Sequence, residues 1–324
     1  MMGIWKRHTG IYKEIAKVDE CIRLALKSNQ QVLASAVNDL LSAGGKRIRP
    51  AMVLLSGGFG INNNEEKLIP LAAAIEIMHM ATLVHDDIID QSDLRRGRPT
   101  VRNRWGNQIA VFTGDFLLVR AFSLITQSVS QDHMHALANT IKVICEGEID
   151  QFQSRFKKTF SELQYLKRIA RKTAVLFALS CQVGAMESQC DVDTVRNLKK
   201  FGYNFGMAFQ ITDDLLDLGG DPELAGKPLG SDFREGIYTL PVIYTIAHPL
   251  YKAQIEKFIG RDDLTDYDVL KVGRLVKESG SLEKSRNLAL RYLERCHESL
   301  RRLPDKPEKD ALRELLEETI SRKY

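Results

Sequence analysis

Apolar residues along this chain recur three and four positions apart, the spacing of one helix face. The pattern is clear in "LVRAFSLITQSV" (118–129) and in "LKRIARKTAVLFALSCQVGAM" (166–186). "LIPLAAAIEIMHMATLVHDDIID" (68–90) is rich in Ala, Leu, Ile and Met and carries no breaker after Pro70. No proline falls between Pro99 and Pro222. Val, Ile and Thr never alternate with polar residues for long, and no Asn-Gly or Asp-Gly hairpin signal appears. The pattern predicts an all-α chain with helices on the order of ten or more. Loops are expected at 57–67, 93–100, 218–236 and 303–309, the last before a terminal amphipathic helix. No linker or low-complexity tract divides the 324 residues, so a single domain over 1–324 is expected.

One internal echo stands out. "HDDIID" closes an apolar helix in the first third, and "TDDLLD" closes an apolar stretch in the last third. Residues three and four apart share a helix face, so Asp86 and Asp90 stack with Asp87 beside them, and Asp213 and Asp217 repeat this beside Asp214. Like charges at that spacing repel, and a helix C-terminus disfavours carboxylates further. One such cluster reads as a solvated helix end. Two of identical form, each behind a run that should be buried, call for a cation between them. Carboxylate oxygens are hard ligands that suit Mg2+, whose shell is usually completed by water and phosphate oxygens. Basic residues follow: Lys46, Arg47 and Arg49 in "GGKRIRP", Arg95, Arg96 and Arg98 in "DLRRGRP", Lys172 beside Thr173, and Lys227. Arginine grips oxyanions with a two-pronged fork. Each cation alone reads as a surface charge; beside the acidic clusters, Lys46, Arg49, Arg95 and Arg96 read as diphosphate ligands.

Composition narrows the classes. A net charge of +4 and 7% aromatic residues argue against nucleic-acid binding. Cys21, Cys145, Cys181, Cys190 and Cys296 form no CxxC pair, which suits reduced thiols in a cytoplasmic protein. The N-terminus is not a signal peptide in pattern. The most apolar stretch is taken as Thr173 to Met186, too short for a membrane span of about 20 residues.

These motifs resemble the trans-isoprenyl diphosphate synthase family. "DDIID" with its following "RR" is similar to the family's first aspartate-rich motif, "QITDDLLD" to the second, and "GGKRIRP" to its isopentenyl diphosphate loop. The resemblance spans about 40 to 245. It implies an isoprenoid-synthase-type barrel of long helices around a deep central cavity, usually dimeric. Lys46, Arg49, His79 and Arg96 would bind isopentenyl diphosphate. Arg95, Lys172, Thr173, Gln210 and Lys227 would contact an allylic diphosphate. Asp86, Asp90 and Asp213 would ligate Mg2+, three ions brought together with the diphosphate, supported by Asp87, Asp214 and Asp217. Without the resemblance, His79 reads as a core histidine. The implied reaction ionises the allylic diphosphate, adds isopentenyl diphosphate to the cation and loses a proton.

Ala81 and Thr82, one turn before Asp86, are small where short-chain members carry bulky aromatics. The product tunnel is therefore expected to pass them, with Met78 or Ile77 as its floor, giving a product of roughly C30 to C40. A narrower resemblance runs through "MHMATLVHDDIID", "WGNQIAVFTGDFLL", "GEIDQF" and "FGMAFQITDDLLD". It is to the catalytic larger subunits of two-component heptaprenyl diphosphate synthases, which serve menaquinone side-chain synthesis with a small dissimilar regulatory partner; a homodimer is the other arrangement expected. Ile237 in "EGIYTLP" replaces a lysine usual in homodimeric members, so one allylic contact is absent. A terpene cyclase would lack the "GGKRIRP" loop, and a non-catalytic subunit would have lost aspartates. A membrane-surface module has only "RYLERCHESLRRLPDK" in its favour, which reads as a solvated helix face, so membrane contact is at most peripheral.

Overall fold

The computed structural model describes residues 5, 7–62, 64–95, 97–159, 161–219 and 230–320. It is helical almost throughout, as the periodicity predicts. The chain packs as two compact units.

The first comprises Met1–Leu137, Leu179–Lys199 and Arg302–Leu315. Its opening helices are α1 (Thr9–Ala25), α2 (Gln31–Ser42), α3 (Ile48–Gly57) and α4 (Glu65–Ile89). α4 is apolar on every side, and Leu71 through Met78 are buried in one unbroken run. A helix without a polar face belongs in a core. Asn64 caps it by accepting from the Glu66 amide, and Glu65 and Glu66 complement the positive end of its dipole. Asp90 is its C-cap, so the first aspartate cluster ends a helix, as expected. α5 (Val101–Ser128) packs along α4. Gly114 of α5 leaves room for the His85 ring of α4, whose Nε2 would meet any Cβ there.

Two expectations need correction. The segment 93–100 is more than a loop: Leu94–Arg95 and Arg98–Pro99 pair antiparallel as β1 and β2. Two residues per strand are too few for alternation to register. The sequence reading also passed over two longer apolar helices. α4 and α5, not Thr173 to Met186, are long and apolar enough by length and composition to cross a membrane, and α4 is mostly buried within the protein.

The second unit comprises Ala138–Ala178, Lys200–Arg301 and Leu316–Tyr324. It holds most of α6 (Gln131–Ser154), all of α7 (Glu162–Ile169), and a five-residue π-helical turn, Ala170–Ala174. α8 (Val175–Glu187) begins here, and the latter part of α9 (Val192–Gly219) lies here too. Short helices follow as α10 (Ser231–Arg234), α11 (Leu240–Ala247) and α12 (Lys252–Ile255). α13 (Asp266–Glu278) and α14 (Ser281–Arg301) complete it, and the terminal helix α15 (Pro307–Ile320) belongs to the first unit through Leu315. Leu218, Phe233, Tyr238, Val242, Val272 and Val276 share one core. Phe177, Phe205 and Phe209 pack ring on ring, with centroids 5.2 to 6.0 Å apart. Such contacts join the π-turn region to α9 by burial with a directional preference.

Candidate active site

In the first unit the site is built on the end of α4, the β-hairpin and the loop between α2 and α3. Asp87 is buried at the last turn of α4, where a lone carboxylate would be costly. Arg95 answers it from the hairpin: Nε and Nη2 both donate to Asp87 Oδ1, each at 2.8 Å. Arg98 ties the hairpin to the end of α2 through the Ser42 carbonyl and hydroxyl, at 2.8 and 2.9 Å. A pocket opens beside these groups, lined by Gly44, Arg47, Glu76, His79, Asp87, Arg95 and Arg98 among others. From α4 it takes Met80 and Leu83; Ala81 is buried in the core, and the Thr82 hydroxyl donates to the His79 carbonyl. Met78 is buried as well. Lys46 is exposed on the glycine loop that borders the pocket, and Arg49 is half-buried in the first turn of α3. Asp86 and Asp90 are half-buried on the same turn as Asp87. Arg96 lies outside the described residues.

In the second unit the end of α9 gathers the other cluster. Asp214 is buried; the Tyr165 hydroxyl donates to its Oδ2 and the Gln210 amide to its Oδ1, both at 2.8 Å. Gln210 Oε1 in turn accepts from the Thr173 hydroxyl at 2.7 Å. Lys172 pairs with Glu148 at 2.9 Å. The structure thus joins Thr173, Gln210 and Asp214 in one chain of hydrogen bonds, and sets Lys172 one residue away on the π-turn. π-turns are concentrated at functional sites, where they re-aim side chains. Asp217 Oδ1 accepts from the Ser231 amide and hydroxyl, at 3.1 and 2.9 Å. Its Oδ2 is buried without a hydrogen-bond partner among the described residues. Lys227 lies outside the described residues. Ile237 is only 7% exposed, and its amide donates to the Asp232 carbonyl.

Burial, and then the Asp232 carboxylate, push Asp214 and Asp217 far above the ordinary carboxylate range. Burial thus favours the neutral, protonated form of both acids. Among the described residues, no group of three or more His, Cys, Asp or Glu side chains is already drawn into a metal cage. Taken separately, each cluster offers a hard divalent cation oxygen ligands: Asp86 and Asp90 are half-buried at the first, and at the second Asp213 is half-buried and Asp217 has an unsatisfied oxygen.

Tyr165, Ser231, Asp232 and Glu148 escaped the sequence reading. Glu148 sits in the quoted "GEIDQF" with no signal of its role. Tyr165 and Asp232 meet Asp214 and Asp217 only through the fold.

Carboxylate clusters met by arginine and glutamine on an all-α scaffold suit an enzyme that handles diphosphates. The polyprenyl synthetase family profile matches residues 30–276. Over 302 residues the chain is 40% identical to heptaprenyl diphosphate synthase component 2 of Geobacillus stearothermophilus, covering 93% of each. The crystal structure of heptaprenyl diphosphate synthase from Staphylococcus aureus superposes with a TM-score of 0.92 at 38% identity, covering 97% of this chain and 99% of that one. A polyprenyl synthase from Caulobacter crescentus, complexed with calcium and isoprenyl diphosphate, gives a TM-score of 0.93 at 36% identity, covering 100% of this chain and 98% of that one. The chain belongs to the polyprenyl synthetase family: it is a trans-prenyltransferase with the all-α isoprenoid-synthase fold.

Proposed function

We propose that this chain condenses isopentenyl diphosphate with an allylic prenyl diphosphate, farnesyl diphosphate in first place, to make an all-trans product of roughly C30 to C40, heptaprenyl by preference. One observation carries the reading: in each unit the aspartate cluster is met by side chains suited to a diphosphate. Arg95 lies on Asp87, and Thr173 stands at the Gln210–Asp214 pair.

Lys46, Arg49 and His79, with Arg96, hold isopentenyl diphosphate. Arg95, Lys172, Thr173 and Gln210, with Lys227, hold the allylic diphosphate. Asp86, Asp90 and Asp213 would hold Mg2+, three ions in this reading, which would neutralise the diphosphate and favour its departure. The cationic side chains stabilise charge as it builds on the departing diphosphate, so the protein contributes position and preorganised electrostatics. The allylic cation is attacked by the double bond of isopentenyl diphosphate, and the proton then lost goes to the released diphosphate.

The resemblance to a protein named as component 2 supports a small dissimilar partner subunit, and menaquinone side-chain synthesis as the setting. Ile237, buried where a cation is usual, supports a site completed with help. The cysteines are all free thiols, which supports a cytoplasmic location.

The test is incubation of the purified chain with farnesyl diphosphate, radiolabelled isopentenyl diphosphate and Mg2+, with and without lysate of the source organism. Labelled polyprenyl diphosphate is expected, and EDTA should abolish it. No prenyl product in either arm rejects the activity. Full-length product at high turnover from the chain alone rejects the partner.

A further inference from the structure

We propose that Arg47 is a positioning residue: a buried clamp that sets the glycine loop so that Lys46 and Arg49 meet isopentenyl diphosphate. The proposal rests on the reading that those two residues bind that substrate.

The backbone gives the first sign. Arg47 has φ 51° and ψ 35°, the left-handed region that side-chain-bearing residues rarely enter. The loop already uses glycine for this purpose at Gly44, with φ 66°. Yet an arginine stands at 47, where a glycine would be less strained. Strain of this kind persists only where the surroundings over-determine it.

The surroundings do so in three ways. The guanidinium is buried, and the residue is only 8% exposed. Its Nε donates to Asp19 Oδ1 of α1 at 2.7 Å, and its Nη1 to Glu76 Oε1 of α4 at 2.9 Å. Glu76 is itself buried, a lone acid within the apolar run of α4, one turn before His79. Next, Gly45 leaves room for the guanidinium: a Cβ there would come within 2.8 Å of Arg47 Nη1 and 3.4 Å of Glu76 Oε1. Finally, the Trp5 indole donates to the Lys46 carbonyl at 3.1 Å. The backbone on either side of Lys46 is thus fixed from α1, from α4 and from the N-terminal segment.

A plain stabilising role accounts for this poorly. Buried ion pairs add little net stability over apolar packing, and a left-handed arginine subtracts from it. What the arrangement does supply is a single conformation for a glycine-rich loop that would otherwise sample many. Arg47 faces two carboxylates, so its charge is committed inside the protein.

The experiment compares Arg47→Gly, Arg47→Lys and Glu76→Gln with the parent chain, under the conditions in which the parent turns over, partner included where needed. Arg47→Gly removes the clamp but relieves the backbone, which favours a folded variant. Circular dichroism reports the fold. KM is measured separately for isopentenyl diphosphate and farnesyl diphosphate. Each variant should raise KM for isopentenyl diphosphate by about tenfold or more, while KM for farnesyl diphosphate and kcat stay within about twofold. An unchanged KM for isopentenyl diphosphate in folded Arg47→Gly overturns the proposal. Equal rises in both KM values, or loss of fold in all three variants, assign Arg47 to stability and overturn it as well. Lys46→Ala is run in parallel. If it too leaves KM for isopentenyl diphosphate unchanged, the fault lies in the reading of the loop as a substrate site. If it raises that KM while Arg47→Gly does not, only the clamp fails.

Discussion

Asp214 shows how a buried carboxylate is held. It has two donors, Tyr165 from α7 and Gln210 one turn earlier on α9, and a facing acid, Asp232, that opposes its charge. Removing one donor leaves an acceptor desolvated and unmatched, which costs more than the net value of the bond. Tyr165→Phe should therefore destabilise the chain by about 1–3 kcal/mol, the cost of leaving a buried polar group unsatisfied. The check is the midpoint of urea unfolding, which should fall at unchanged slope. An unchanged midpoint would show that Asp214 does not depend on this hydroxyl. The aspartates themselves were legible in the sequence because their spacing repeats. Tyr165 was not, since nothing in "ELQYLKRI" distinguishes a tyrosine that meets an acid 49 positions away from one that fills a core.

Among the elements, the π-turn Ala170–Ala174 depends on close packing by glycines. Gly147 of α6 admits the Arg171 Cβ, and Gly206 of α9 lies against Ala174. A methyl at 206 would come within 2.6 Å of the Ala174 Cα and 2.9 Å of Phe177 Cδ2. One contact is backbone and the other a packed ring, so α9 must shift. The shift would separate Gln210, one turn on, from Thr173. Gly206→Ala should cost about 1–3 kcal/mol by overpacking and raise KM for the allylic diphosphate. Gly10→Ala, with open space around it in α1, should be neutral or slightly stabilising. If both variants behave alike, packing at the π-turn does not set the position of Gln210. Helices were readable because burial of one face imposes a period. A π-turn changes only the hydrogen-bond register, and a hairpin of two-residue strands has no period, so neither left a trace in the pattern. Arg47 reads as one more basic residue until its φ is known.

For the molecule as a whole, α5 poses the remaining question. It is apolar enough to be a core helix, yet much of it faces outward: Phe112 is 65% exposed and Val119 64%, with Val111 and Phe122 also exposed on the same helix. Positions 112, 119 and 122 fall seven and three apart, which aligns them in one stripe. Contiguous apolar surface of this kind marks a contact with another molecule. The proposed partner subunit is the occupant that also explains the resemblance to a protein named as component 2 and the buried Ile237. Replacing Phe112 and Val119 together by Glu would place two charges in that contact without touching the cores of either unit. Circular dichroism should be unchanged, since neither side chain is buried in the chain itself. Stimulation of turnover by source lysate should be lost, and the complex should disappear from light scattering. If the parent chain alone scatters as a dimer and the double variant as a monomer, the stripe joins two copies and the dissimilar partner is rejected for this face. If lysate stimulates the variant as well as the parent, α5 is not the contact.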